Sequence, residues 1–330
     1  MKLLMMGARD DERIFAEKWA QENNVELEIT SDFLNAETLH LVAGKDGLAL
    51  QQTMALPIEM YQQLADLGIK QIATRSAGYD MYDLEAATAA GLIITNVPEY
   101  SPNAIAEFAV TSALASVRQL NKIQNNMAKQ DYRWAKDMIS PELRSMTIGI
   151  IGTGRIGRIT AQILKGFGAN IIAYDLYQNE EAKTFLTYKA SVEDVVKEAD
   201  LISIHMPATK DNHHLFNDQL FSLMKDGSYL VNTARGVIVD TAALIRALDS
   251  GKLAGAALDT YENEMPYVTK DFVGKEVTDP IFKELVARED VIFTPHIAFY
   301  THTAVENLVA GGLNAVYDVI TTNDSPNRVN

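Results

Sequence analysis

The chain has 330 residues, 47% of them hydrophobic, and its 29 Lys plus Arg against 44 Asp plus Glu give a formal charge of −15. That length predicts two domains with sizeable cores, and the acidity argues against a nucleic-acid or anionic-membrane surface, which needs a basic footprint. Zero cysteines exclude disulfides and thiol chemistry and fit a reducing compartment. The start MKLLMMGARDDE has too short an apolar run for a signal peptide, and no stretch approaches a membrane span, so cytoplasmic residence is the expectation.

In chain order, Lys2–Met6 predicts a strand. A helix over about 11–23 follows, with Ile14, Phe15, Trp19 and Ala20 at helical spacing marking its apolar face. Strand-like runs recur at Val25–Ile29, Gly47–Leu50, Ile69–Thr74 and Leu92–Val97, with helical patterns between them. Such alternation implies a parallel sheet covered on both faces. At 97–102 the pattern breaks, because Pro98 and Pro102 bias the residues before them toward extended backbone. Ser101 then reads as an N-cap, with Pro102 at the first helical position. The helix predicted over 103–119 is apolar on most faces, and burial between domains is expected.

The next segment, 147–175, reads TIGIIGTGRIGRITAQILKGFGANIIAYD. An apolar strand runs into Gly152-Thr153-Gly154-Arg155-Ile156-Gly157, then an apolar-periodic helix, a Gly-bounded turn and a strand ending in Asp175. A lone G-x-G-x-x-G is weak, but here every element of the dinucleotide fingerprint stands in order. Gly152 permits the tight turn, Gly154 lets backbone approach a pyrophosphate, and Gly157 allows close helix–strand packing. Unpaired N–H groups at the helix start bind the phosphates. A carboxylate at Asp175 can accept from both ribose hydroxyls and repel a 2′-phosphate, so NAD is the expected cofactor.

Further strands are expected at Ala199–His205, Ser228–Asn232, Gly255–Asp259 and Val291–Thr294, and 191–194 looks like a capped helix start. A helix at about 303–321 has no strand after it, and the tail 322–330 reads as a surface strap or frayed end. With the fingerprint in mid-chain, the economical layout is a discontinuous domain. Residues 1–100 plus 300–330 form one unit, and a nucleotide domain, 101–299, is inserted in it.

Reduction of a 2-keto acid with a nicotinamide needs a cation for the carboxylate, a proton donor for the carbonyl oxygen, and something to keep that donor charged. In α/β sheets such groups gather at the carboxyl ends of strands. Arg235, Glu264 and His296 all follow predicted strands. Each taken singly also fits a blander role: Arg235 a surface salt bridge, His296 a turn residue, and Glu262 and Glu264 a solvated loop.

Together the motifs narrow the choice. Tyr100-Ser101-Pro102-Asn103-Ala104-Ile105-Ala106-Glu107, the glycine fingerprint, Ala234-Arg235-Gly236, Asp259-Thr260-Tyr261-Glu262-Asn263-Glu264 and Thr294-Pro295-His296-Ile297-Ala298-Phe299 stand in one order. The chain resembles the D-isomer-specific 2-hydroxyacid dehydrogenases over essentially its whole length, and within them the bacterial lactate-forming members. That resemblance implies an α/β fold of two doubly wound parallel-sheet domains, Rossmann- and flavodoxin-like, with the active site in a cleft between them. It implies Arg235 on the substrate carboxylate, where its planar fork is not replaceable by lysine. His296 would be the general acid and base, with Glu264 raising its pKa and Asp259 supporting the pair. Cofactor contacts would come from Gly152, Gly154, Arg155, Ile156, Gly157, Asp175, Met206, Pro207, Asn212, Thr233, Ala234, Arg235 and Asp259. Substrate contacts would come from Leu50, the backbone N–H groups of Ala77 and Gly78, Tyr100, Arg235, His296 and Phe299. A homodimer using the helix 103–119 and the segment 131–134 is also implied, as is closure of the domains about hinges near 99–102 and 297–300. His40, His205, His213, His214 and His302 read as structural or solvent-facing, and no metal is assigned.

Two residues depart from many relatives. Leu50 stands where many lactate-specific members carry tyrosine, which resembles members that accept longer keto acids. Apolar pockets discriminate by only about 1–3 kcal/mol per methylene, so pyruvate stays the expected substrate, with 2-ketoisocaproate or phenylpyruvate as the alternative. Arg155 stands where histidine is common, and either reaches a phosphate. An NAD-sensing corepressor or scaffold is the reading outside enzymes, disfavoured by the intact Arg235, Glu264 and His296. A phosphoglycerate-type enzyme would need a further regulatory domain, and a formate-type enzyme a glutamine at Glu264.

Overall fold

The structure is a computed structural model describing residues 1–52 and 54–330. The chain runs through β1 (Lys2–Met6), α1 (Asp10–Asn23), β2 (Glu26–Ile29), β3 (Gly47–Leu50), α2 (Ile58–Asp66), β4 (Gln71–Thr74), α3 (Leu84–Ala89) and β5 (Ile93–Thr95). It continues with α4 (Pro102–Val117), α5 (Leu120–Ala128), β6 (Thr147–Ile151), α6 (Arg155–Gly166), β7 (Asn170–Tyr174), β8 (Thr187–Tyr188), α7 (Val192–Glu198) and β9 (Leu201–Ile204). The last elements are α8 (Asp218–Leu223), β10 (Ser228–Asn232), α9 (Thr241–Asp249), β11 (Leu253–Leu258), α10 (Pro280–Ala287), β12 (Val291–Phe293) and α11 (His302–Thr322). Two compact units result, Met1–Ser101 with Tyr300–Asn330, and Pro102–Phe299.

The first unit is a five-stranded parallel sheet in the order β2-β1-β3-β4-β5. Its central strands GLAL and QIAT are buried at every position, as parallel strands covered on both faces must be. One face packs on α1 and α11 through Trp19, Val309, Leu313 and Val316. The other packs on α2 and α3 through Met60, Tyr61, Leu64 and Ala87. Gly47 has no room for a side chain, since a Cβ would stand 2.6 Å from Val316 on α11. The tail is a strap: Val329 donates to the Ile94 carbonyl, Asn96 donates to that of Asn327, and the Asn330 amide bonds Ile94 N–H and the Leu92 carbonyl.

The second unit is a seven-stranded parallel sheet in the order β12-β11-β10-β9-β6-β7-β8. Helices α7, α8 and α9 cover one face, with Val195, Phe221 and Leu244 in the core. Helices α4 and α6 cover the other, with Ala109, Ala113 and Leu164. Both units are doubly wound α/β sheets, with the strand order reversing between β1 and β3 and between β6 and β9. Ligands bind at the carboxyl ends of strands beside such reversals. Ser191, Asn217, Asp240 and Asp279 each cap a helix in this unit by accepting a backbone N–H.

Two sequence expectations need correction. Ile14 is 69% exposed, because it lies about 200° around α1 from Glu12. Glu12 holds the buried face with Ala16 and Trp19, where it pairs with Arg75 at 3.3 Å. The single helix over 103–119 ends instead at Val117, and Gln119, at φ 53°, starts the separate α5. Burial of α4 arises within the second unit, against α6, β10 and β11.

Candidate active site

The glycine loop leaves the end of β6, and each glycine has its own physical reason. Gly152 has φ +94°, and a Cβ there would meet the His205 carbonyl carbon at 2.7 Å. Gly157, in the first turn of α6, would drive a Cβ to 2.0 Å from the Gly152 oxygen. A Cβ on Gly154 would meet no described atom within 4 Å. The loop is therefore tight underneath and open at its crest, where a pyrophosphate approaches backbone and a helix N-terminus. Arg155 is exposed at the first position of α6, followed by the half-buried Ile156.

Asp175 sits past the end of β7 and is tied to this loop. Its Oδ2 accepts the Thr153 N–H at 2.5 Å and hydroxyl at 3.0 Å, and Oδ1 accepts the Tyr177 N–H at 2.9 Å. His205, under the loop, bonds Ser203 at 2.8 Å, and burial pushes its pKa down to about 4. A neutral imidazole there contributes stability that is present above the ordinary histidine value and lost as pH falls from about 6.5. After β9, Asn212 folds the turn back by donating to the Pro207 carbonyl at 2.8 Å and to Met206 Sδ at 3.2 Å. The Thr233 hydroxyl is buried without a hydrogen-bond partner among the described residues, which suits a donor or acceptor on a bound group. These residues fit a dinucleotide.

The three candidate catalytic residues follow three adjacent strands, β10, β11 and β12, at the carboxyl end of the same sheet. Arg235 is carried by a loop that Asn232 braces: its fully buried amide donates to the Arg235 carbonyl at 2.9 Å and accepts from Ala234 at 3.0 Å. Gly236 lets this loop press on the next one, since a Cβ there would lie 2.1 Å from the Tyr261 carbonyl carbon. Glu264 accepts Tyr261 N–H on Oε2 at 2.9 Å and bonds His296 Nδ1 with Oε1 at 2.7 Å. A carboxylate only accepts, so Nδ1 carries hydrogen and Nε2 is the nitrogen left for chemistry.

Asp259, 2% exposed, shapes the histidine loop. Its carboxylate accepts the Thr294 hydroxyl at 2.5 Å and the Ile297 and Ala298 N–H groups at 2.9 Å each. His296 is held at φ 55°, a left-handed conformation that costs energy for a non-glycine residue and marks functional positions. Its ring keeps 37% of its surface accessible. Burial works to lower its pKa, but the hydrogen bond and charge of Glu264, with Asp259 behind it, prevail and raise it; Arg235 opposes them.

The remaining candidates lie in or at the edge of the first unit. Ser76, Ala77 and Gly78 have all their carbonyls engaged, by Val97 N–H at 2.9 Å, Asn96 Nδ2 at 2.7 Å and Ser76 Oγ at 2.5 Å. Among the described residues the Ala77 and Gly78 N–H groups meet no acceptor. Leu50 is fully buried at the end of β3, among Leu4, Met6 and Tyr61. Tyr100 accepts from Asn307 on its carbonyl at 2.6 Å, and Phe299 is half-buried at the last position of the second unit.

Sequence reasoning missed Asn232, Asn96 and Arg158, whose guanidinium donates to the Thr153 carbonyl at 2.9 Å. It also missed Glu262, which is no solvated residue: at 18% side-chain exposure it bonds His214 Nε2 at 2.7 Å. Only the position of Asn232, ending a strand just before Arg235, offered a signal.

Residues 110–298 match the family described as D-isomer specific 2-hydroxyacid dehydrogenase, NAD binding domain. The chain is 48% identical to a D-lactate dehydrogenase of Streptococcus pyogenes serotype M1 over 330 residues, covering 100% of both. A D-lactate dehydrogenase of Treponema pallidum has a similar structure, with TM-score 0.92, 43% identity and 100% of both chains covered. The NAD-complexed D-isomer specific 2-hydroxyacid dehydrogenase of Lactobacillus delbrueckii ssp. bulgaricus gives TM-score 0.88 and 35% identity, again over 100% of both chains.

Proposed function

The chain belongs to the D-isomer-specific 2-hydroxyacid dehydrogenases, and from that membership we propose that it reduces pyruvate to D-lactate with NADH, reversibly. The observation that carries this is the 2.7 Å pairing of His296 with Glu264, on the sheet end that also bears the Arg235 loop and the glycine loop. Bound NADH supplies the hydride for the carbonyl carbon. Arg235 holds the substrate carboxylate and polarises the carbonyl through its donor fork. His296 delivers its Nε2 proton to the carbonyl oxygen and takes it back in the oxidation. Glu264 keeps the imidazole charged and fixes its tautomer, and Asp259 sets the loop that aims it. The amides of Ala77 and Gly78 add carboxylate donors, while Leu50, Tyr100 and Phe299 shape the choice of side chain.

The cofactor is held by Gly152, Gly154, Arg155, Ile156 and Gly157 at the phosphates and by Asp175 at the ribose. Met206, Pro207, Asn212, Thr233, Ala234, Arg235 and Asp259 line the rest of its path. The inserted unit is then the NAD domain and the discontinuous one the substrate domain. A second copy covers the segment 131–134 expected at the interface, where Tyr132 and Trp134 are exposed beside α5, which buries none of its own residues, while the other expected element, α4, already buries most of its apolar residues in its own unit. Among the described residues no helix is long and apolar enough to cross a membrane. We place the protein in the cytoplasm because it depends on the cellular NADH pool.

The test is NADH consumption with pyruvate, 2-ketoisocaproate and phenylpyruvate, for the wild type and Leu50→Tyr, with chiral analysis of the product. Pyruvate as the preferred substrate and D-lactate as product are expected. No turnover of any 2-keto acid defeats the dehydrogenase reading and leaves the NAD-sensing scaffold in its place.

A further inference from the structure

A second histidine–glutamate pair, His214 with Glu262, lies in the same unit as the catalytic one. Glu262 Oε2 accepts from His214 Nε2 at 2.7 Å, and its Oε1 accepts the N–H of Thr241, the first residue of α9, at 3.1 Å. His214 has φ 51°, and its own N–H donates to the Val237 carbonyl at 2.8 Å. Next to it, Phe216 N–H donates to the Ile238 carbonyl at 3.0 Å, and Asp240 N–H returns to Phe216 at 3.1 Å. The segment 236–241 is thus held by His214 and Phe216 on one side and the Glu262 carboxylate at its end. Gly236, the residue after Arg235, presses directly on the Glu262 backbone, where a Cβ would stand 2.4 Å from its nitrogen.

We propose that His214 and Glu262 are positioning residues for Arg235, locking its loop to the loop that carries Glu264. Neither side chain touches the substrate or the cofactor in the proposed reaction. His214 stands two residues after Asn212 on the cofactor side, and Glu262 two residues before Glu264 on the proton-donor side. Their hydrogen bond joins the loops that follow β9 and β11, with the Arg235 loop pinned between them. The left-handed backbone at His214 also places its carbonyl to accept from Asn217 Nδ2 at 3.1 Å, the residue that caps α8. The inference rests on the proposed reduction, because it assigns Arg235 to the substrate carboxylate.

Steady-state kinetics of pyruvate reduction test it, using His214→Phe, Glu262→Ala, and His214→Phe combined with Arg235→Lys. Misplacing a binding group by about 1 Å costs up to roughly 10²-fold, so His214→Phe should raise pyruvate KM about 10-fold or more. The pH profile of kcat should stay at wild-type values, since the Glu264–His296 bond is untouched. A purely structural role lowers the melting temperature and all kinetic constants together, without that split. In the Arg235→Lys background the His214→Phe effect should shrink, because the two act through one interaction. His214 is partly exposed, so its variant keeps the test alive if Glu262→Ala does not fold. Unchanged pyruvate KM in folded variants, or independent multiplication with Arg235→Lys, overturns the inference alone. A wild-type chain inert toward every 2-keto acid overturns it together with the dehydrogenase reading.

Discussion

The two sheets have the same kind of strand reversal, and they treat it in opposite ways. In the first unit the reversal between β1 and β3 is plugged by Arg75, which is 1% exposed. Its guanidinium donates to the carbonyls of Met6 at 3.0 Å, Ala49 at 2.9 Å and Gly7 at 3.1 Å, all at the ends of those strands. Glu12 answers its charge from α1, and Gly312 on α11 leaves room for its stem, 2.8 Å from where a Cβ would stand. In the second unit the reversal between β6 and β9 holds the glycine loop, whose crest at Gly154 is open. The same architecture gives a sealed crevice or a binding crevice, depending on whether a buried cation or three glycines occupy the switch point.

The largest effect belongs to the open sheet. His296→Ala should cost about 10²–10⁴-fold in turnover while leaving NADH binding intact by fluorescence titration; near-normal turnover would remove the acid–base assignment. On the plugged side, Glu12→Gln leaves Arg75 buried without its counter-charge. That should destabilise the protein by about 3–5 kcal/mol, read by urea unfolding, and a change within error would mean the carbonyls alone satisfy Arg75.

The glycine contrast sharpens the comparison within one loop. Gly157→Ala forces an overpacked contact and should cost about 1–3 kcal/mol of stability. Gly154→Ala should leave the melting temperature alone and weaken NADH binding instead. Equal losses of stability in both would erase the distinction between packing glycine and approach glycine.

The smallest effect is a displaced pH limb. Reduction needs protonated His296, whose raised pKa keeps the proton above the ordinary histidine range, so the rate falls as pH rises through that raised value. The matching stability is present below about 6.5 and fades as pH climbs past it. Glu264→Gln removes the main upward influence and leaves burial, so the limb of kcat against pH should move to lower pH. An unmoved limb would assign the raise to Asp259.

Much of the fold was legible because parallel strands announce themselves as short apolar runs, and the glycine spacing and Asp175 follow from the shape of a dinucleotide. The Arg235, Glu264 and His296 trio was nameable through motif resemblance and through their places after predicted strands, yet no residue spacing showed that Glu264 bonds His296. Ile14 misled because three apolar neighbours fixed a helix face that the Glu12–Arg75 pair actually owns. Glu262 read as solvated because its partner, His214, is 48 residues away.

The sequence by itself determined the alternation of strands and helices, the NAD fingerprint and the residue types able to move a proton and hold a carboxylate, since all of these depend on local pattern. Only the tertiary structure decided which carboxylate faces which cation. Hydrogen bonds and charge pairs reach about 3 Å across space, and which side chains come that close is set by strand order, a long-range property that no window of the chain contains.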